Sequence, residues 1–313
     1  MEKIEQTLNK LSVTGVLVEN GLEIHNEGEE NEFIGGTLTI RTEDSSEHAL
    51  KFYANRFKKD KDGNFTREES KLYKGYRTVM DEYVDLKMAS EEVPATQVTV
   101  NGNIDVSDFL DKQDGSLVTA NKLSGKFASK AKDTDEHKAK FELMGIISKL
   151  SQETKKDGTP TGNGLIVLDV IGYNGKIIPV KLTVLKELVE AFGQAGFYEG
   201  CPAKLTGIVR NTVTKEEIVE KQAFGEDIHR EITKTIKRFE CTGGSPLAGL
   251  DVLKITQEQY EACKSQRKLH LNEVKSGETG SGSSSTSTPK PQQSTSSNAF
   301  SSNGFPPTSN PFA

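Results

Sequence analysis

Tryptophan is absent from this 313-residue chain, and cysteine and histidine are scarce, at three and five copies. Cys201, Cys241 and Cys263 are odd in number, far apart and in no Cys-x-x-Cys or Cys/His cluster. That spacing supports neither a disulfide framework nor a zinc site and predicts reduced, partly buried thiols. No apolar run approaches the ~20 residues that cross a bilayer. The charged start MEKIEQTLNK lacks the apolar core of a secretion signal. Together these absences predict a soluble, cytoplasmic protein that makes no membrane contact.

Catalytic signatures are missing as well. There is no Gly-x-Ser-x-Gly, no P-loop, no Gly-x-Gly-x-x-Gly and no His-Glu-x-x-His. His25, His48, His137, His229 and His270 sit in polar contexts with no nucleophile beside them and read as solvated surface residues. Glu216 and Glu217 read as surface charge, and the crowd Glu19, Glu23, Glu27, Glu29, Glu30 and Glu32 as a solvated loop and edge. The expectation is a non-enzyme with no catalytic residues, no cofactor and no metal. A net charge of -6 argues against a uniformly basic, duplex-coating protein, yet a local basic groove on an acidic body is compatible with it.

What is present is strand patterning, twice over. LSVTGVLVEN alternates apolar and polar residues, and IGGTLTIRT and HALKFYANRF follow in the same style. A polar stretch, a helix-tolerant YKGYRTVMDEYVDLK, then QVTVNGNIDV and NKLSGKFASKAK complete a first unit. KFELMGIISKLSQE opens a second. LIVLDVIGYNGKIIPVKLTV reads as a hairpin turning at Asn174-Gly175, VLKELVEAFGQAGF carries a helical apolar stripe, and CPAKLTGIVRN and HREITKTIKRFECTG supply the last strands. VTGVLVE matches LMGIISK, and VTVNGNI matches AKLTGIV, each pair with a glycine in the same relative place. Strand, strand, strand, helix, strand, strand with those glycines is the order of an OB-fold barrel, whose sharp bends suit a residue without Cβ.

The expected fold class is therefore mainly β: two tandem OB-fold-like barrels with a disordered C-terminal tail. Residues 1–130 form a first, divergent unit with an insertion, 131–250 the second, 251–275 a closing helix and 276–313 a Ser/Thr/Pro/Asn tail too polar to offset its ordering entropy.

Basic residues interleaved with aromatics are the feature that points to a ligand. Lys51, Tyr53, Arg56, Phe57 and Lys58 lie in KFYANRFKK, and Tyr73, Lys74, Tyr76 and Arg77 in KLYKGYR. Tyr173 and Lys176 sit at the second unit's hairpin, with Lys237 and Arg238 in its last strand. Single-stranded nucleic acid uses such pairs, an aromatic face for a base and a cation for the phosphate. Alternation puts Leu50, Phe52 and Ala54 on one side of their strand and Lys51, Tyr53 and Asn55 on the other, so Phe52 is expected in the core and Tyr53 outside. The strand must break near Asn55 for Arg56 and Phe57 to serve as well.

The tail carries Phe300, Phe305, Pro311 and Phe312 in the repeats Asn-Ala-Phe, Asn-Gly-Phe and Asn-Pro-Phe. Tandem OB-like units followed by a Gly/Ser/Pro/Gln tail with a Pro-Phe tip resemble single-stranded DNA-binding proteins of the bacterial or tailed-phage type. That resemblance implies sequence-tolerant binding of single-stranded DNA and protection of replication and recombination intermediates. It also implies a tail that recruits replication or recombination proteins and, for a phage gene, a bacterial host cytoplasm. The chain departs from the family's acidic, Phe-ending tip: Glu278 and Lys290 are the tail's only charges, and it ends on Ala313. A β-rich phage structural or assembly adaptor that ignores nucleic acid is the alternative, and an RNA-binding OB protein shares the same physics.

Overall fold

Alternation in LSVTGVLVEN lays down the first strand, β1 (Asn9–His25), with Leu11, Val13 and Leu17 buried. The computed structural model describes residues 4–277 apart from 133, 156 and 221–227, with the backbone alone for 213–220 and 228–236. The tail residues Phe300, Phe305, Pro311 and Phe312 lie outside the described residues. After β1 come β2 (Phe33–Arg41), β3 (Glu47–Asn55), a small hairpin of β4 (Phe57–Lys59) and β5 (Phe65–Glu69), and α1 (Lys71–Glu82). β6 (Gln97–Leu110) and β7 (Leu117–Lys130) complete the first unit. β1 pairs antiparallel with β2 and β6, β2 with β3, and β6 with β7, while β3 runs parallel to β7 and closes a barrel.

The second unit repeats every one of these pairings. It comprises β8 (Ala139–Thr154), β9 (Pro160–Ile171), β10 (Ile177–Val184), α2 (Lys186–Gln194), β11 (Pro202–Glu220) and β12 (Ile228–Pro246). β8 pairs with β9 and β11, β9 with β10, β11 with β12, and β10 lies parallel to β12. Both units are five-stranded barrels of OB order with the helix between strands three and four. The β9–β10 turn has positive φ at Asn174 (55°) and Gly175 (74°), the type I′ geometry that suits a right-twisted hairpin. Between β3 and α1 the first unit also carries the β4–β5 hairpin, and the second has no strand at that place among the described residues.

The repeated glycines sit where strands press together. A Cβ on Gly102 in β6 would lie 1.8 Å from the Ser124 carbonyl oxygen, and one on Gly207 in β11 1.9 Å from that of Glu240. Both positions carry a register shift, between Asn101 and Gly102 and between Thr206 and Gly207. Their counterparts in the first strands, Gly15 and Gly145, face Arg41 and Asp169 carbonyl oxygens in the same way. Only a residue without Cβ lets a small barrel bulge and close at these points.

The barrels share one ten-stranded sheet, because β1 and β8 pair antiparallel from Asn9↔Leu143 to Val13↔Ala139. Gly15 and Gly145 occupy the same place in the repeat, and the ladder centres on Leu11↔Phe141, which are likewise equivalent. Like thus pairs with like across a local pseudo-twofold axis, as in an isologous dimer interface. Each barrel's fourth-and-fifth-strand hairpin also touches the other barrel. Asn121 of β7 donates to the Pro179 carbonyl of β10 at 2.8 Å, and Asn211 of β11 donates to the Glu47 carbonyl of β3.

One element breaks the symmetry. Helix α3 (Gln257–Ser276) starts at a capping box, Thr256 with Gln259, and stops at Gly277 in the left-handed conformation. It packs Tyr260 and Cys263 with Leu253 and Ile255 against Ile171 and Ile177, which covers the turn end of β9–β10. The Tyr260 hydroxyl donates to Asp169 at 2.9 Å, and Arg267 forks onto Asp108 of β6 at 2.5 and 2.6 Å. All three cysteines are free and fully buried. Among the described residues no helix is long and apolar enough to cross a membrane.

Gly207→Ala is expected to lose about 2–4 kcal/mol of stability, since backbone must shift. Gly75→Ala, mid-α1 with open space around it, is expected to gain about 0.5–1 kcal/mol. Urea unfolding of both variants checks the pair; equal effects would refute the close-packing role of Gly207.

Candidate nucleic-acid interface

Strand β3 alternates as its sequence implies: Leu50, Phe52 and Ala54 are buried while Lys51 and Tyr53 face solvent. Strand pairing then sets two more rings beside Tyr53. His25 is opposite Phe33 across β1–β2, and Phe33 is the diagonal neighbour of Tyr53 across β2–β3. His25 and Phe33 stack at 4.6 Å between ring centres, and Phe33 and Tyr53 meet at 5.0 Å. Gly35 leaves room for this, because a Cβ there would lie 3.1 Å from the Phe33 ring. The Tyr53 hydroxyl donates to Asn55 Oδ1 at 2.8 Å, which ties the ring along the strand.

This three-ring surface borders an open cavity of about 680 Å³. Lys51 and Lys126 reach its rim, and Gly36 and Gly125 line its floor. Neither lysine has an acidic partner among the described residues. An aromatic surface edged by ammonium groups on an exposed sheet face can stack bases and neutralise phosphates.

The sequence-derived candidates divide sharply. Tyr73 and Tyr76 are not surface stacking residues: they are 6% and 3% exposed and form the buried stripe of α1 with Val79. Tyr76 packs edge-on against Phe52 at 5.1 Å and donates to the Lys126 carbonyl, and Tyr73 donates to Glu32. β3 does end at Asn55, and β4 starts at Phe57, but the break puts Arg56 to structural use. It bridges Glu32 at 3.0 Å and Glu69 at 3.3 Å and lies over the half-buried Phe57 ring at 5.1 Å. Lys58 pairs with Glu68, Lys74 with Glu69, and Arg77 with Asp81. These exposed pairs are weak, and none of the three cations lines the cavity. Tyr173 is exposed at the β9–β10 turn, while Lys176 pairs with Asp105 of the first barrel at 2.9 Å. Arg238 pairs with Glu240, and Lys237 lines a smaller cavity at the barrel junction.

Three residues read as solvated turn out otherwise. Glu32 is buried at 3% exposure. Burial pushes its carboxyl up, but bonds from Tyr73, the Gly28 amide and Arg56 outweigh that and hold it below the ordinary value. His48 is buried in the barrel wall. Burial, with Lys237 adding to it and Asp44 opposing it, pushes the imidazole down to about 4. His25 belongs to the aromatic surface. Sequence reasoning missed His25, Phe33 and Lys126, whose neighbourhood depends on strand register; only the apolar Phe33 at the start of an alternating strand hinted at it.

Two closed OB barrels thus lie on one sheet, and the first carries an aromatic, lysine-edged groove. The YorF family matches residues 7–277, and the chain belongs to that family. No curated protein matches it. Among solved structures it is similar to the wild-type single-stranded DNA-binding protein from Thermus aquaticus, at 12% identity and a TM-score of 0.43. That match covers 79% of this chain and 99% of that one. A deletion mutant of the same protein gives 11% identity and 0.43, covering 78% and 96%. A replication protein A heterotrimer bound to single-stranded DNA gives 12% and 0.17, covering 88% and 54%. Likenesses this weak carry no argument, and the barrel assignment rests on the strand pairing above.

Acid unfolding should show two windows. His48 favours its neutral form in the fold, so stability present above its ordinary value of 6.5 is lost as pH falls toward about 4, by up to about 3 kcal/mol. The depressed carboxyls of Glu32 and Asp44 lose their contribution only below their ordinary values, 4.5 and 3.8. Thermal melts from pH 8 to 3 should lose the upper window in His48→Gln and keep the lower; an unaltered upper slope would refute the assignment.

Proposed function

We propose that this protein binds single-stranded DNA in a sequence-tolerant manner on the β2–β3 face of its first barrel, with Tyr53, Phe33 and His25 stacking bases and Lys51 and Lys126 meeting phosphates. The observation that carries the reading is the contact surface of three rings edged by unpaired lysines on an open barrel face. Every base has a π-face, so stacking of this kind tolerates any sequence. The net charge of -6 repels nucleic acid at long range, so binding depends on this local arrangement and falls with salt. Lys58, Lys74 and Arg77 contribute at the edge by exchanging a weak acidic partner for a phosphate. In this reading residues 1–130 are the principal binding unit, 131–250 the supporting one, and the protein shelters replication or recombination intermediates in the cytoplasm. The Phe-bearing tail offers short anchors to partner proteins, each weak and gaining by multiplicity.

Fluorescence anisotropy with a labelled oligo-dT strand, a matched duplex and a matched RNA tests this. Tight binding to dT that weakens with salt is expected. Tyr53→Ala and Phe33→Ala should each cost about 1–3 kcal/mol, and Arg77→Ala less than about 0.5 kcal/mol. Equal affinity for duplex and dT would refute the reading, and indifference to all three would leave a β-rich adaptor in its place.

A further inference from the structure

We infer that one strand continues from the first-barrel groove across the barrel junction onto β12 of the second barrel, and that it bypasses the second barrel's own β9–β10 face. The inference rests on the single-strand reading above and adds the route and the chemistry of its second half.

The large cavity beside Tyr53 adjoins a second one of about 210 Å³, and the two share Thr37 and Lys51 as lining. The second cavity is walled by Lys51 and Lys122 of the first barrel and by Lys237 and Phe239 of the second. Phe239 is only 6% exposed, so no ring is offered there for a base. Three lysines and the Thr37 hydroxyl suit a phosphodiester backbone instead, with the bases turned outward. The carboxylates around this cavity are already engaged. Asp44 binds Arg210 at 2.5 Å, Glu240 binds both Arg210 and Arg238, and Glu47 binds Arg41. Lys51 and Lys122 have no acidic partner among the described residues.

The junction is also fixed before any strand arrives. Arg210 to Asp44, Ser46 to Thr212 at 3.2 Å and Asn211 to the Glu47 carbonyl tie the β2–β3 turn of one barrel to β11 of the other. Preformed cation spacing removes an ordering cost from binding. The competing face is obstructed at its turn end: α3 covers Ile171 and Ile177, Tyr260 holds Asp169, and Asn121 bonds the Pro179 carbonyl and the Lys181 amide.

Length dependence in the full chain tests the route. Affinity is measured for dT strands of about 5 nucleotides, which one barrel covers, and about 30, beyond the ~16 that one barrel covers. In wild type the longer strand should bind roughly tenfold or more tighter. In Lys122→Ala/Lys237→Ala that gain should shrink toward a factor of about one, and the salt slope should fall by about 0.7 per lysine removed. Lys181→Ala, an exposed lysine on the β9–β10 face, should keep the full gain. If the double variant keeps the wild-type gain and slope while Tyr53→Ala still loses binding, the route is wrong and the first-barrel reading stands. If Lys181→Ala abolishes the gain, the strand uses the β9–β10 face and the inference is overturned. If wild type binds neither strand, the functional reading falls, and the inference with it.

Discussion

The antiparallel ladder of Asn9–Val13 on Ala139–Leu143 holds the two barrels in a fixed relation, and the arrangement of every other surface follows from it. Because equivalent positions pair across a pseudo-twofold axis, each barrel's long hairpin reaches the third strand of the other. Buried backbone hydrogen bonds and the residues beneath them, Leu11, Val13, Phe141 and Leu143, make the joint part of the core rather than a hinge. A groove that crosses it is therefore a preformed feature. The four repeated glycines have the companion role: they let each barrel close tightly enough that its outer sheet face is well defined.

From a nearly symmetric pair of barrels the chain makes two unequal faces. On the first, His25, Phe33 and Tyr53 leave apolar ring area open to solvent, which costs hydrophobic free energy. On the second, Ile171 and Ile177 are covered by α3, and the bonds of Tyr260 and Arg267 anchor that helix to both barrels. Charge follows the same division. Arg41, Arg56, Lys58, Lys74, Arg77 and Lys87 of the first barrel are matched to carboxylates, whereas Lys51, Lys122 and Lys126, which line the groove or its continuation, have no acidic partner among the described residues.

Much of this was legible in the sequence, and the part that was not has a physical cause. Period-2 alternation gave β1, β3 and the side of β3 each residue faces; Asn174-Gly175 gave the hairpin turn; the matched glycines gave the repeat and hence the barrel order. The functional residues were only half legible. KFYANRF exposed Tyr53 and Lys51 because alternation is a local property. Phe33 and His25 join them through cross-strand register, which no local pattern encodes. Arg56 looked free until Glu32, far upstream, was brought beneath it. Tyr73 and Tyr76 share charged neighbours with surface residues, but their spacing of three on α1 places both on the face that meets Phe52. His48 sits at an inward position of β3, where the alternation already pointed to burial and its polar sequence neighbours misled.

The most direct test of the central claim, that single-stranded DNA uses the ring surface of the first barrel and not the β9–β10 face of the second, is photocrosslinking with an oligo-dT strand carrying iodouracil, followed by mass-spectrometric mapping of the modified peptides. Crosslinks should fall on Tyr53, Phe33 or His25, with none on the β9–β10 strands of the second barrel. Crosslinks concentrated between Pro160 and Val184 would contradict the account.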